Sequence, residues 1–598
     1  MTATTSAGRE LPPFDRRFFR SAHGMSRIGG GALGAKAERL VLMHGILATE
    51  GAEGRFGGLP VDVPRFTVLA TESFDAFLAG NPELRHVLDA DPADERIATS
   101  FQRAHLPSDV VGDLEALAEE AHTPLAVRSS SRLEDALERP FAGVYQTKMI
   151  PNHDPDPRER FRALVEAIKF VYASTYFEAA RSYRAAAGIS DSDEKMAVIV
   201  QEIVGERHGD RFYPDVSAVC RSWDYYPRGR AAPEDGVVSL ALGLGKTIVD
   251  GGRCWGYSPR HPKAPPPFGS TAQLLRETQS RFWAVHMGPP PPYDPIAETE
   301  YLLQATLDDA DYDGTLRFLA STYDGAADRL RPGTDFPGPR VLDFAPILRL
   351  RELPLNDVFL ALLQTCERAL GGPVEIELAL TLPGRLRPPA RAGFLQVRPM
   401  STPSERVSLR REDLAAPDLL LRSTRAMGNG VLADVRDIVY VRPEHFSAAQ
   451  TPRIAQEVGE MNQRLVRHGR RYLLIGFGRW GSSEPWLGIP ATWSQVGGAA
   501  AIVEVAGAHL DVEPSQGTHF FHNLSSLGRM YLMLRDTDVD WAWLAEQPAE
   551  QETELVRHLR LDAPLHLAVD GRSRTGIVRR PANADAPPNS SSSSNLAV

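Results

Sequence analysis

The sequence predicts an α+β or α/β protein built as a large first block, residues 19–400, followed by a smaller mixed α/β block, residues 416–580. Three observations carry this. Strand-like and helix-like segments alternate through the first block. Two strand-like runs near its end, VEIELAL and GFLQVRPM, lie close enough to pair as a hairpin rather than as a doubly wound unit. A polar join with a proline, MSTPSERVSLRRED, separates the blocks as linkers do. At 598 residues the chain is also too long for one core.

The elements follow in order. Residues 1–18 read as a flexible lead, and 401–415 as a linker. The ending RRPANADAPPNSSSSSNLAV is rich in Pro, Ser and Asn, so residues 581–598 are expected to be disordered. TPLAV reads as a short buried strand. RFRALVEAIKFVYASTYFEAARSYRAAAG carries apolar residues at helical spacing, with Gly188 as its C-cap. MAVIVQEIV and VVSLALGLG read as strands, and LNDVFLALLQTCERALG as a helix ending at Gly371.

Composition narrows the function classes. The net charge is −11, from 66 Lys and Arg against 77 Asp and Glu, which argues against nucleic acid as a partner. Three cysteines without CxxC spacing support neither a disulfide framework nor a zinc cluster. No apolar leader or membrane-length run is found, so a soluble cytoplasmic protein is expected.

Four clusters carry chemistry. VRSSSRLEDALERPFAGVYQT places Arg128, Ser129, Ser130 and Ser131 at a strand end. Arg128 offers a rigid fork for phosphoryl oxygens, and the serines offer donors. Glu134 and Asp135 either shape the loop, pair with Arg128 or face a metal. A self-satisfied surface turn fits the stretch equally well. IGGGALGAKAERL sets Lys36 at a helix start behind glycines, an anion-binding arrangement but not a Walker loop. LALGLGKTIVDGG, with Gly243, Gly245 and Lys246, repeats the pattern after a strand. In VEIELAL, Glu375 and Glu377 share a strand face. Gln396 and Arg398 share one on the next strand. Paired, they bring a carboxylate, an amide oxygen and a guanidinium together, either as Mg²⁺ and phosphate ligands or as an exposed cross-strand ion pair.

Taken in order, these clusters resemble the ATP-binding domain of the pyruvate phosphate dikinase and phosphoenolpyruvate synthase family, an ATP-grasp fold. The resemblance runs from about Ser21 to Met400. It rests on GALGAKAERL, VRSSSRLEDALERPFAG, VQEIV, LGLGKTIVDG, VEIEL and LQVRPM. It implies ATP and Mg²⁺ as cofactors. Lys36 and Arg128 are then expected on the nucleotide phosphates, with Ser129, Gly243 and Gly245 in the binding loops. Gln201 and Glu202 are expected by the adenine and ribose, Glu377 and Gln396 on Mg²⁺, and Arg398 on the terminal phosphate. The chain departs from the family at Ala35, Ala218 and Lys246, where the family usually carries Gly, Gly and often an acid.

The second block holds two further stretches. RRYLLIGFGRWGSSEPWLGIP offers a second anion loop with Trp480 and Trp486 as walls, or a Gly-rich turn over a tryptophan-lined core. PSQGTHFFHNLSSLG holds His519 and His522. His519 is a candidate phosphoryl acceptor. The pair could equally bind a metal or sit hydrogen-bonded in a core. The block is too short for a (β/α)₈ barrel plus a swivelling domain. The expectation is therefore a Mg²⁺-dependent phosphotransferase with an unknown acceptor, pyruvate being one candidate. The alternatives are a nucleotide-sensing module, or the ATP-binding half of a split system whose partner supplies the phosphohistidine and substrate domains.

Overall fold

The computed structural model describes residues 11–15, 24–90, 92–131, 134, 143–187, 189, 194–227, 229–264, 270–384, 389–400, 407–482, 484, 486–507, 520, 524 and 529–581. The expected C-cap Gly188, Asp135, His519, His522, residues 1–10 and the tail from 582 lie outside them.

The first region opens with β1 (Met25–Ile28), α1 (Ala35–Ala52), β2 (Val61–Asp62) and β3 (Phe66–Leu69). Further on come β4 (Leu125–Ser131), β5 (Thr147–Ile150), α2 (Pro157–Ser174) and α3 (Glu178–Ala187). Next are β6 (Met196–Glu202), β7 (Val216–Arg221), β8 (Val237–Ala241), the one-turn α4 (Lys246–Val249) and β9 (Trp255–Tyr257). The region closes with α5 (Ala345–Leu348), α6 (Leu355–Leu370), β10 (Val374–Thr381) and β11 (Arg391–Pro399).

These strands form two large mixed sheets, and the segments between them add two smaller ones. The first has the order β1-β3-β6-β4-β5 and the second β9-β8-β7-β10-β11-β2. Strand β6 shows why its sequence is an unbroken apolar run. Met196, Val198 and Val200 face one core, while Ala197 and Ile199 face another. A strand buried on both faces has no polar alternation. Helix α1 puts Ala37, Leu40, Met43 and Leu47 into the core between the sheets. Each fully buried Leu of that stripe contributes roughly 1.5–3 kcal/mol. Gly371 ends α6 in the left-handed conformation, as expected.

The long helical segment after β5 is two helices, not one. The break falls after Ser174. The Ser174 hydroxyl donates back to the Val171 carbonyl at 2.7 Å, and the buried Arg184 Nη1 donates to the Thr175 carbonyl at 2.7 Å. A guanidinium satisfying that carbonyl removes the reason to continue the ladder.

The second region contains β12 (Arg425–Met427), β13 (Asp437–Val441), α7 (Thr451–Arg467), β14 (Tyr472–Phe477), α8 (Trp493–Val496), β15 (Ala499–Ala506), β16 (Met530–Arg535), β17 (Ala549–Glu552) and β18 (Val556–Arg560). They form a sheet ordered β12-β16-β15-β14-β13-β18-β17. Its four middle strands, β16 to β13, are parallel. Asp437, Glu550 and His558 meet at its edge, but Arg470 already pairs with both carboxylates. Trp480 is fully buried against Gly476, where a Cβ would stand 2.3 Å from the ring. Trp486 is 66% exposed. Of the two readings of this stretch, the turn over a tryptophan core fits Trp480, whereas Trp486 lies on the surface and walls no loop.

Apolar packing continues across the join. Tyr183 of α3 meets Trp493 of α8 with ring centroids 6.3 Å apart, and Tyr226 meets Tyr531 at 6.1 Å. Among the described residues no helix is long and apolar enough to cross a membrane.

Two predictions follow from local geometry. Gly34 has φ +79°, and a Cβ there would lie 1.7 Å from the Ser130 carbonyl oxygen of β4. Gly34→Ala is expected to cost roughly 2–4 kcal/mol. Gly80→Ala, which meets open space at a helix end, should be nearly neutral. Equal urea midpoints for both variants would refute this account of Gly34. Glu194, buried just before β6, is pushed up to about 7 by desolvation, against the opposing pull of Ser131, Tyr145 and Arg184. Its folded-state value lies above its unfolded one, so it favours folding at low pH. That contribution is lost as pH rises from about 4.5 through 7, on the order of 3 kcal/mol in all. Glu194→Gln should flatten the fall in stability over that window. Parallel stability curves for variant and parent would contradict the assignment.

Candidate functional site

The register of the second sheet lines up two rows of side chains. Arg221, Glu375 and Arg398 are direct partners across β7, β10 and β11. Val219, Glu377 and Gln396 form the next row. Partners and second neighbours share a face, so all six point the same way. Glu375 accepts from both Arg221 and Arg398, and all three are at most 4% exposed. Removing one member of such a buried set leaves an unpaired charge and costs about 3–5 kcal/mol. Glu375 therefore fixes Arg398, whose Nη2 also reaches Glu377 Oε1 at 3.2 Å.

The facing wall comes from the first sheet. Arg128 Nη1 donates to Gln201 Oε1 at 3.1 Å and to the Leu395 carbonyl at 2.9 Å. Its Nη2 donates to Gln396 Oε1 at 2.7 Å. One side chain thus spans from β4 to β11. Its neighbours explain the three serines. Ser129 donates to Glu134 Oε1 at 2.8 Å, and the Ser131 amide donates to Glu134 Oε2 at 2.9 Å. Ser130 accepts from the Ala37 amide at 3.1 Å and donates to the Leu33 carbonyl at 2.9 Å, so it pins the start of α1. Glu134, fully buried, pairs with Lys36 at 2.6 Å and not with Arg128.

Between these walls lies a cavity of about 230 Å³. Lys36, Arg128, Gln201, Glu202, Gly245, Glu377, Gln396 and Arg398 all line it. Two expected binding residues stand behind the wall instead. Ser129 is fully buried and holds Glu134 and Lys36. Gly243 turns away with φ +80°, its carbonyl accepting from Ser217 at 2.6 Å. A Cβ on Gly243 would sit 2.6 Å from the Trp283 carbonyl, so this turn needs glycine for packing. His519 lies outside the described residues.

The cavity also holds Lys246 of the third glycine–lysine motif and Glu298, which no motif marked. Lys246 pairs with Asp250 at 2.8 Å and Glu298 at 3.2 Å. Burial lowers its basicity, but the two carboxylates outweigh burial and hold it above its ordinary value. Glu298 is in turn raised by burial, with Lys246 opposing. Glu298 sits in a Pro-rich loop with no periodicity, and nothing local in the sequence marks it. Glu202 is likewise raised, chiefly by burial. Chemically the cavity offers four cations, Lys36, Arg128, Lys246 and Arg398, facing a paired carboxylate and amide oxygen, Glu377 and Gln396. Cations suit phosphoryl oxygens, and an oxygen pair of this kind suits a hard divalent ion.

Comparison with known proteins agrees with this chemistry. Residues 31–264 match the family model described as pyruvate phosphate dikinase, AMP/ATP-binding domain. A rifampicin phosphotransferase from Streptomyces sviceus is 27% identical over 205 residues, covering 32% of this chain and 22% of that protein. A phosphoenolpyruvate synthase from Aeropyrum pernix is 29% identical over 140 residues, covering 22% of this chain and 16% of that protein. The match thus spans about a fifth of the length of these relatives. The Lys36, Arg128 and Gly245 walls fall inside the matched segment, while Glu377, Gln396 and Arg398 lie beyond it. Residues 31–264 of this chain are therefore similar to the AMP/ATP-binding domain of pyruvate phosphate dikinase.

Proposed function

We propose that the chain is an ATP-dependent phosphotransferase whose ATP-grasp-type first region binds the nucleotide in the cavity between its two sheets. The observation that carries this is the convergence of Lys36, Arg128 and Arg398 on one enclosed space, with Arg128 spanning both walls. Lys36 and Arg128 hold the phosphates. Arg398, fixed by Glu375, stands where charge develops on the terminal phosphoryl group. Gln201 and Glu202, at the end of β6, face the base and ribose. Glu377 and Gln396 are the residues that would hold Mg²⁺. Their donor set of one carboxylate and one amide oxygen fits an ion that keeps water and phosphate oxygens in its shell. Bound there, the ion would neutralise phosphate charge. The guanidiniums of Arg128 and Arg398 now hold those oxygens, so loading the site exchanges protein hydrogen bonds for ligand ones.

A phosphoryl acceptor is part of this reading, with His519, pyruvate or a partner's phosphohistidine domain as the candidates. A second reading is a nucleotide-sensing module. The short matched span in the relatives favours it.

Two experiments test these readings. Arg128→Ala and Arg398→Ala are each expected to lower ATP consumption by roughly two orders of magnitude or more. ATP turnover unchanged in both would overturn the site assignment. ATP binding without turnover or phosphoenzyme, by mass spectrometry after alkaline quench, would favour the sensor. Separately, Glu377→Gln should raise the Mg²⁺ concentration needed for half-maximal nucleotide binding by about tenfold. An unchanged Mg²⁺ titration would remove Glu377 from the metal set.

A further inference from the structure

A second, larger cavity of about 790 Å³ lies beside the first. Both open on the same face of the second sheet. In the row Val237–Arg221–Glu375–Arg398, set by strand register, the β8 and β7 residues line the larger cavity and Arg398 lines the smaller one. Helix α4 divides them. Its Lys246 and Val249 face the nucleotide cavity, while Ile248 and the following Gly251 and Gly252 face the larger one.

The larger cavity is strongly basic in a chain of net charge −11. Arg230, Arg260, Lys263, Arg349, Arg351 and Arg425 stand on its rim, and all six are exposed. None forms an ion pair with a described carboxylate, unlike Arg221 and Arg398 of the buried row. Two acids stand in the lining, Asp343 within electrostatic reach of Arg349. Asp343 accepts from Ser321 and the Ala345 amide, and Asp224 accepts from the Tyr226 amide. Six such cations around one concavity repel one another unless an anion sits among them. Ile248, Leu348, Trp255 and Tyr257 supply apolar and aromatic surface to its floor. Strained backbone delivers part of the rim. Phe344 and Arg351 both have positive φ, at +51° and +56°, and they bracket the α5 turn that carries Arg349. Strain of this kind persists where the surroundings enforce it, and it clusters at ligand sites.

The second region completes the walls. It contributes Arg425 and Arg479, and it is tied to the rim. Arg479 Nη1 donates to the Gly251 carbonyl at 3.2 Å, and the Arg253 amide donates to Glu484 at 3.4 Å.

We propose that this cavity binds an organic polyanion, a molecule with a flat or apolar body and two or more oxyanion groups, as a second ligand beside the nucleotide. The apolar floor takes the body, and the arginine rim takes the oxyanions by forked hydrogen bonds. The volume exceeds what a lone inorganic oxyanion fills. The assignment stands on this cavity alone and does not require the nucleotide reading.

The test uses the full chain and the fluorescent probe 8-hydroxypyrene-1,3,6-trisulfonate, a flat ring system with three anionic groups, followed by anisotropy. Saturable binding of one probe per chain is expected, undisturbed by ATP with Mg²⁺. It should weaken by about tenfold in an Arg349→Gln/Arg425→Gln double variant and persist in Arg128→Ala. Both substituted residues are exposed, so folding should hold, and an unchanged melting temperature checks this. Absent binding, equal binding in the double variant, or displacement by ATP together with loss in Arg128→Ala would each overturn the proposal. Arg128→Ala keeps the two readings apart: failure of ATP binding there speaks to the nucleotide cavity alone.

Discussion

The Arg128 guanidinium spans the gap between the two large sheets of the first region, and the geometry of the cavity between them depends on that span. Its two nitrogens hold an amide from β6, an amide from β11 and a backbone carbonyl. A planar fork can do this, and a lysine cannot. Around it the charges are organised in two sets. Glu134 clamps Lys36 on the side of the first sheet, and Glu375 clamps Arg398 on the side of the second. Each carboxylate is buried with its partner, so each cation is held in place before any ligand arrives. Preorganisation of this kind is what a phosphate site needs, because donors that must reorient stabilise developing charge poorly.

Much of this was legible in the sequence where a local period or a local rule decides the structure. Period two put Glu375 with Glu377 and Gln396 with Arg398 on shared faces, and the pairing of the strands set them opposite one another. Gly371 ended its helix because a left-handed C-cap needs glycine. Eight of the expected site residues line one cavity. What escaped was set by distance in sequence. The pairing of Lys36 with Glu134 bridges 98 positions, and that of Lys246 with Glu298 bridges 52. No motif spacing encodes such pairs. The helix break at Ser174 escaped because a buried arginine ten positions on, Arg184, satisfies the carbonyl that would have continued the ladder. Ser129 and Gly243 do not line the cavity for a related reason: Ser129 holds Glu134 and Lys36, and the Gly243 carbonyl holds Ser217.

The two cavities share their materials. Strand β7 and helix α4 contribute to both, and the buried Arg221–Glu375–Arg398 row runs from one to the other.

The unbroken core across the join has a mechanical meaning. Chains that carry a group between distant sites by swinging one rigid body past another need an interface that parts cheaply. Here such a rotation would pull Tyr183 from Trp493 and Tyr226 from Tyr531. Each large aromatic re-exposed to water costs a few kcal/mol, about 1.5–3 for a side chain of this class. Turning the second region away would thus bare four large rings at once, a cost that the packing seen here avoids.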